Sequence, residues 1–283
     1  MQMNSSTDVA KLRHAHPDAW KPALARSMAP YWGPEERRAI DAVLAACREN
    51  LGYDLKALRI LQENQISIET AEFFGLGFAD RSISAGLPSG ESYEGARLRG
   101  RLQSIGVVRL SGHGHFGGSI VAPVRDINGR VADIYGRKIT PRLRAGTAYH
   151  TCIFDPPKGV FNLEGLAGQE QAILCNDLFD ALRLHSAGLT NVTTTVGPRG
   201  FTDAHMRVFA ALGIKKVVIA FAAGAGEDRI GRLIAQALDF MGIECFRMSS
   251  PSEINSPSTL AELVRNAPEF KQCAETLFKE ASQ

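Results

Sequence analysis

Basic side chains recur through the middle of the chain: Arg97, Arg99, Arg101 and Arg109, then Arg125, Arg130, Arg137 and Lys138, then Arg142 and Arg144. Guanidinium groups pair bidentately with phosphates and supply the salt-dependent, sequence-neutral part of nucleic-acid binding. A second reading stands beside this one, because any hairpin needs solvated charges and Arg125 has Asp126 and Asp133 within reach across a turn. Other chemistry-bearing patterns are weaker. His113 and His115 form an HxH pair without a third ligand nearby, which is more often a loop with exposed imidazoles than a zinc site. The GAGED run at 224–228 lacks the lysine and spacing of a phosphate-cradling P-loop. Cys47, Cys152, Cys175, Cys245 and Cys273 lie far apart with no CxxC pair, so ordinary buried thiols and no zinc are expected. His185 reads as a helix residue at the edge of the core.

The elements that hold these residues follow from periodicity. PEERRAIDAVLAACREN places Ile40, Val43, Leu44 and Cys47 on one helical face, with Pro34 and acids early. Further helices are expected over 54–62 and 67–72, ended by the breakers Gly75 and Gly77. The Gly- and Ser-rich stretch 81–118 reads as irregular and partly exposed. SIVAPVRDINGRVADIYGRKI alternates on both sides of Asn128-Gly129, predicting strands near 119–124 and 131–135 joined by a hairpin. Beyond a loop through Pro156 and Pro157, short apolar runs alternate with helical patterns: AILC, DALRLHSAG, NVTTTVG, a helix from Thr202, KKVVIAF, RIGRLIAQALDFMG and IECFRM. That alternation predicts parallel βαβ units, with Thr202 as a helix N-cap and Gly188 and Gly242 at helix C-termini. With 283 residues and 45% hydrophobic content, one large domain or two modest ones can form. A formal charge of +2 is too small to imply a nucleic-acid partner without clustering. The opening residues 1–20 carry charges and histidines where a signal peptide is apolar, and no segment is long enough to span a bilayer, so a cytoplasmic location without a membrane partner is expected.

Four segments in this order resemble the polymerase core of DnaG-type bacterial DNA primases, particularly the divergent members carried by mobile elements. They are LKALRILQENQISIETAEFFGLGFA, IVAPVRDINGRVADIYGRKI, DLFDALRLHSAGLTNVTTTVG and VVIAFAAGAGEDRIGRLIAQAL, and the likeness spans roughly residues 54–265. The resemblance implies an α/β fold: a Toprim module with a central, mostly parallel sheet flanked by helices, preceded by a mixed helical and antiparallel-hairpin lobe. The implied division is an N-terminal helical extension at 1–53, a primase-like subdomain at 54–168, a Toprim domain at 169–266 and a helical tail at 267–283.

In such a module Mg2+ or Mn2+ is held by a glutamate ending the first strand, an aspartate four residues on and an Asp-x-Asp pair after a later strand. Hard cations and the triphosphates they neutralise need such carboxylate oxygens. The glutamate position here is Asn176, and the Asp-x-Asp position reads Ala222, Ala223, Gly224. Asp180 matches the aspartate four residues on, and Asp177 is an additional acid. These two are either a residual one-metal site at the mouth of the sheet or a helix cap and a surface acid. Glu227 and Asp228 are either displaced ligands or acids on a first helical turn, where the dipole favours them. Arg137 matches a groove arginine of primases. The reading that follows is a primase-like protein binding single-stranded or template DNA in replication or maintenance of a mobile element, with polymerising activity weak or lost and any Mg2+ or Mn2+ weakly held. Two alternatives stay open: an active primase-type nucleotidyltransferase or Toprim nuclease taking nucleotides with an unusual acid set, and a non-catalytic module docking replication or mobile-element proteins.

Overall fold

The computed structural model describes residues 32–80, 91–126, 128–140, 142–197, 200–251 and 257–270. They fall into two compact units, one holding the described residues of 30–124 and 130–158, the other those of 125–129 and 159–270.

The first unit opens with α1 (Pro34–Tyr53), whose first turn carries Glu35 and Glu36 and whose buried face is Ala39, Ile40, Val43, Leu44, Cys47 and Leu51. Helix α2 (Leu55–Glu63) is capped by Asp54, which accepts from the Ala57 N–H at 2.7 Å. Helix α3 (Ile68–Phe74) is capped by Ser67 and closed by Gly75 at φ +62°, a conformation that favours glycine. Strands β1 (Gly77–Ala79), β2 (Ser119–Arg125), β3 (Val131–Lys138) and β4 (His150–Cys152) form one sheet in that spatial order. Strand β1 runs antiparallel to β2 with Gly77 opposite Val121, and β4 runs antiparallel to β3 with Arg137 opposite His150.

Three features of this unit differ from the sequence reading. Gly77 is not a breaker but a strand residue: a Cβ there would sit 2.5 Å from the Cys47 Cβ, so glycine lets β1 lie directly on α1. The stretch 81–118 is not irregular throughout, because α4 (Tyr93–Ser104) runs through it. Ser92 accepts from the Gly95 N–H at 3.0 Å, Glu94 and Arg101 stand at the dipole ends that favour them, and Leu102 is fully buried with Leu98 and Ile105 packed beside it. Gly95, Gly100 and the arginines dilute that apolar stripe in the sequence. Strand β4 lies where a plain loop was expected; it is an edge strand of three residues defined by pairing to β3. The hairpin strands match expectation and extend beyond it to Arg125 and Lys138. Their turn is an Asx-turn, with the Asp126 carboxylate accepting from the Asn128 N–H at 2.8 Å and Gly129 at φ +72°.

The second unit is an α/β layer. After α5 (Leu163–Leu166), strands β5 (Gln171–Cys175), β6 (Val192–Thr194), β7 (Lys216–Phe221) and β8 (Glu244–Ser249) form a parallel sheet of order β6-β5-β7-β8. Helices α6 (Leu178–Ser186), α7 (Asp203–Leu212) and α8 (Ala225–Phe240) make the crossovers, and α9 (Pro257–Arg265) follows β8. Phe209 and Leu212 of α7 and Ile234 and Leu238 of α8 share a core with Leu174, Val217 and Ile219. The expected punctuation holds: Thr202 caps α7 in a box with His205, and Gly188 and Gly242 follow their helices at φ +91° and +75°. Among the described residues no helix is long and apolar enough to cross a membrane.

Candidate functional site

Strand order locates the crevice of the parallel sheet. The connection from β5 leads to β6 on one side, whereas that from β7 leads to β8 on the other, so the chain diverges between the carboxyl ends of β5 and β7. Ligands of open α/β sheets bind at such a switch point, outside the strand ends. The register places Cys175 beside Thr194 and Ala220, and Phe221 beside Ser249. The strand ends are therefore followed by Asn176, Thr195, Ala222 and Ser250.

Three acids at this end have protein partners: Asp177, Asp180 and Asp228. Asp177 is the N-cap of α6 and accepts from the Phe179 N–H at 2.8 Å. Asp180, in the first turn of that helix and only 5% exposed, accepts a hydrogen bond from the fully buried Ser250 hydroxyl at 2.5 Å. Glu227 and Asp228 occupy the first turn of α8, and Asp228 is ion-paired with Arg247 of β8. The Glu227 carboxylate folds back toward Gly224, where a Cβ would meet its Oε2 at 2.6 Å. Asn176 is nearly buried, and its carbonyl accepts from the Gly197 N–H at 2.9 Å. After β7 the chain presents Ala222, Ala223 and Gly224, which bear no side-chain ligand. Among the described residues no group of three or more His, Cys, Asp or Glu side chains is placed to hold a metal ion. This donor set does not fit a pair of hard cations, which need several converging oxygens. The sequence drew attention to the acids but not to Ser250, whose position directly after β8 was the available signal.

The basic residues separate into distinct environments. Arg97 and Arg101 on α4 are ion-paired with α1, Arg97 with Glu35 and Arg101 with Glu35 and Glu36. Arg99 on the same helix is half-buried. Lys138 is 8% exposed and donates to the Gly117 carbonyl at 2.5 Å; burial, and then the nearby Arg109 charge, lower its pKa. Arg125 is exposed and donates to the Gly129 carbonyl of its own turn at 2.9 Å. Asp133 instead lies fully buried and holds the following loop to β3, accepting from the backbone N–H groups of Ile134, Ile153 and Lys158 at 2.7–2.9 Å. Burial raises its pKa to about 6 against those donors. Arg130, Arg142 and Arg144 are exposed, and Arg137 is half-buried with its guanidinium 4.7 Å from the centre of the Tyr149 ring. Tyr149 was not singled out from the sequence; its place immediately before an edge strand opposite Arg137 gives it its role.

The histidines and cysteines take other positions. His113 is exposed, whereas His115 is half-buried with Nε2 3.1 Å from the Cys152 carbonyl oxygen, and burial lowers its pKa. His185 is half-buried on α6. Cys47, Cys175 and Cys245 are buried free thiols and Cys152 is half-buried; Cys273 lies outside the described residues.

The two units are each α/β in character: one holds a four-stranded antiparallel sheet, the other a four-stranded parallel sheet with a switch point. The structure superposes on the Aquifex aeolicus primase comprising zinc-binding and RNA polymerase domains with a TM-score of 0.68, at 23% identity over 96% of this chain and 73% of that one. It superposes on a DnaG primase catalytic domain bound to single-stranded DNA with a TM-score of 0.64, at 18% identity over 83% of this chain and 82% of the other. In sequence, 99 residues are 29% identical to a DNA primase of Synechococcus elongatus, covering 32% of this chain and 14% of that protein. No family model matches the chain. The fold is thus that of the DnaG primase catalytic core.

Proposed function

We propose that this chain is a primase-like Toprim protein, with residues 169–266 as the Toprim domain, that binds single-stranded or template DNA and polymerises weakly or not at all. Arg130, Arg137, Arg142 and Arg144 are its phosphate contacts, with Arg125 at the hairpin turn and Arg99 as further candidates. Replication or maintenance of a mobile element, in the cytoplasm, is the setting this reading fits. The supporting observation is the bond between Asp180 and Ser250: the acid retained from the primase pattern is satisfied by a protein hydroxyl, while β7 is followed by Ala222-Ala223-Gly224. The likeness to a primase domain bound to single-stranded DNA supports the choice of partner.

The test is template-directed primer synthesis from ribonucleoside triphosphates with Mg2+ or Mn2+, run beside oligonucleotide binding. Binding without product is expected. Robust synthesis that Asp180→Ala abolishes would establish the active alternative, in which Asp177, Asp180, Glu227 and Asp228 recruit cations. Failure to bind any oligonucleotide would leave protein docking as the function.

A further inference from the structure

Tyr149 stands immediately before β4, the edge strand of the antiparallel sheet among the described residues, and is 45% exposed. The Arg137 guanidinium lies over its ring at 4.7 Å and is itself oriented by donating to the Lys138 carbonyl at 3.0 Å. The Tyr149 carbonyl accepts from the Lys138 N–H at 2.9 Å. His150 is tied to the fully buried Tyr135 through a 2.7 Å bond between Nδ1 and Oη, and its ring centre is 6.0 Å from that of Tyr149. An aromatic ring is thereby held on its backbone side and by a cation while much of its surface meets solvent. A cation over one face polarises the ring, and an aromatic surface beside phosphate-binding arginines is the arrangement on which unpaired nucleobases stack. Arg142 and Arg144, both exposed, sit in the turn leading to it, where the Thr147 N–H bonds the Arg144 carbonyl at 3.0 Å.

We propose that Tyr149 is a base-stacking platform: an unpaired base of a single strand packs on its ring while Arg137 supports the ring and the neighbouring arginines take the flanking phosphates. This rests on the nucleic-acid reading above and adds to it a requirement for a base rather than a backbone alone.

The experiment is fluorescence anisotropy with a short oligothymidylate and with an abasic oligonucleotide of the same length, using wild type, Tyr149→Phe and Tyr149→Leu. Wild type and Tyr149→Phe are expected to bind oligothymidylate at least about fivefold more tightly than Tyr149→Leu does, since one base-aromatic stack is worth about 5- to 150-fold. On the abasic strand the three proteins are expected to bind alike and with the same salt dependence. Equal binding of both oligonucleotides by wild type overturns the platform and leaves the phosphate reading standing. Loss by Tyr149→Leu on both strands alike overturns it too, marking the ring as structural support for Arg137. No binding by wild type to either strand removes the nucleic-acid reading itself.

Discussion

If Asp180 is a structural tie and not a cation ligand, its removal should be felt in folding before any other assay. Asp180 is 5% exposed and Ser250 is fully buried, so neither side chain readily recovers water when this bond is lost. A hydrogen bond to a charged group is worth about 2 kcal/mol, and disturbing the buried polar groups around it adds about 1 kcal/mol. Asp180→Ala should therefore destabilise the protein by about 3 kcal/mol and Ser250→Ala by about 2 kcal/mol. The double variant should cost about 3 kcal/mol and not the sum, a coupling of about 2 kcal/mol. The assay is guanidinium denaturation at constant slope, with and without Mg2+. An additive cycle would refute the reasoning. So would stabilisation of wild type by Mg2+ that Asp180→Ala removes, because ligand binding to the native state raises its stability by mass action.

Gly77→Ala should destabilise by about 2 kcal/mol despite adding one methyl, because its Cβ would lie 2.5 Å from that of Cys47 and 2.6 Å from the Cys47 carbonyl carbon; thermal melting checks it. His205 is buried and its pKa is pushed down to about 4, so it stays neutral in the fold while the unfolded chain takes up a proton near 6.5. Its contribution is complete above that value and should fall by about 3 kcal/mol as pH drops to about 4. Asp133 acts with the opposite sign: with its pKa raised from 3.8 to about 6, the fold loses about 3 kcal/mol as pH rises through that window. The two offset, so denaturation midpoints between roughly pH 4 and 6 should change little, while NMR titration shows the His205 ring unprotonated down to about 4. If Arg130, Arg137, Arg142 and Arg144 each neutralise a phosphate, binding of single strands should follow salt with a log–log slope of about −2.8, and replacing Arg142 and Arg144 by alanine should halve it to about −1.4.

Much of the fold was legible in the sequence because periodicity is local. The apolar runs of β5, β7 and β8 and the helical patterns between them carry their own signal, as do Ser67 and Thr202 at helix starts. What was hidden depends on distant partners. Strands β1 and β4 have three residues each and exist through pairing with β2 and β3. Helix α4 was masked by its glycines and arginines, though Leu98, Leu102 and Ile105 keep helical spacing. In the site, the ends of β5 and β7 could be placed from strand boundaries. The bond from Ser250 to Asp180 joins residues 70 apart, and the ion pairs of Arg97 and Arg101 join helices α4 and α1, which no local pattern encodes.

Whether the strand-end crevice retains divalent cations separates a nucleic-acid-binding role from an active polymerase. Calorimetric titration of the intact protein with Mn2+ addresses this directly, with Asp180→Asn as the paired variant. No saturable binding in either protein is the result expected from a crevice in which Asp177, Asp180 and Asp228 already have protein partners. Two ions bound stoichiometrically by wild type and lost in the variant would contradict it.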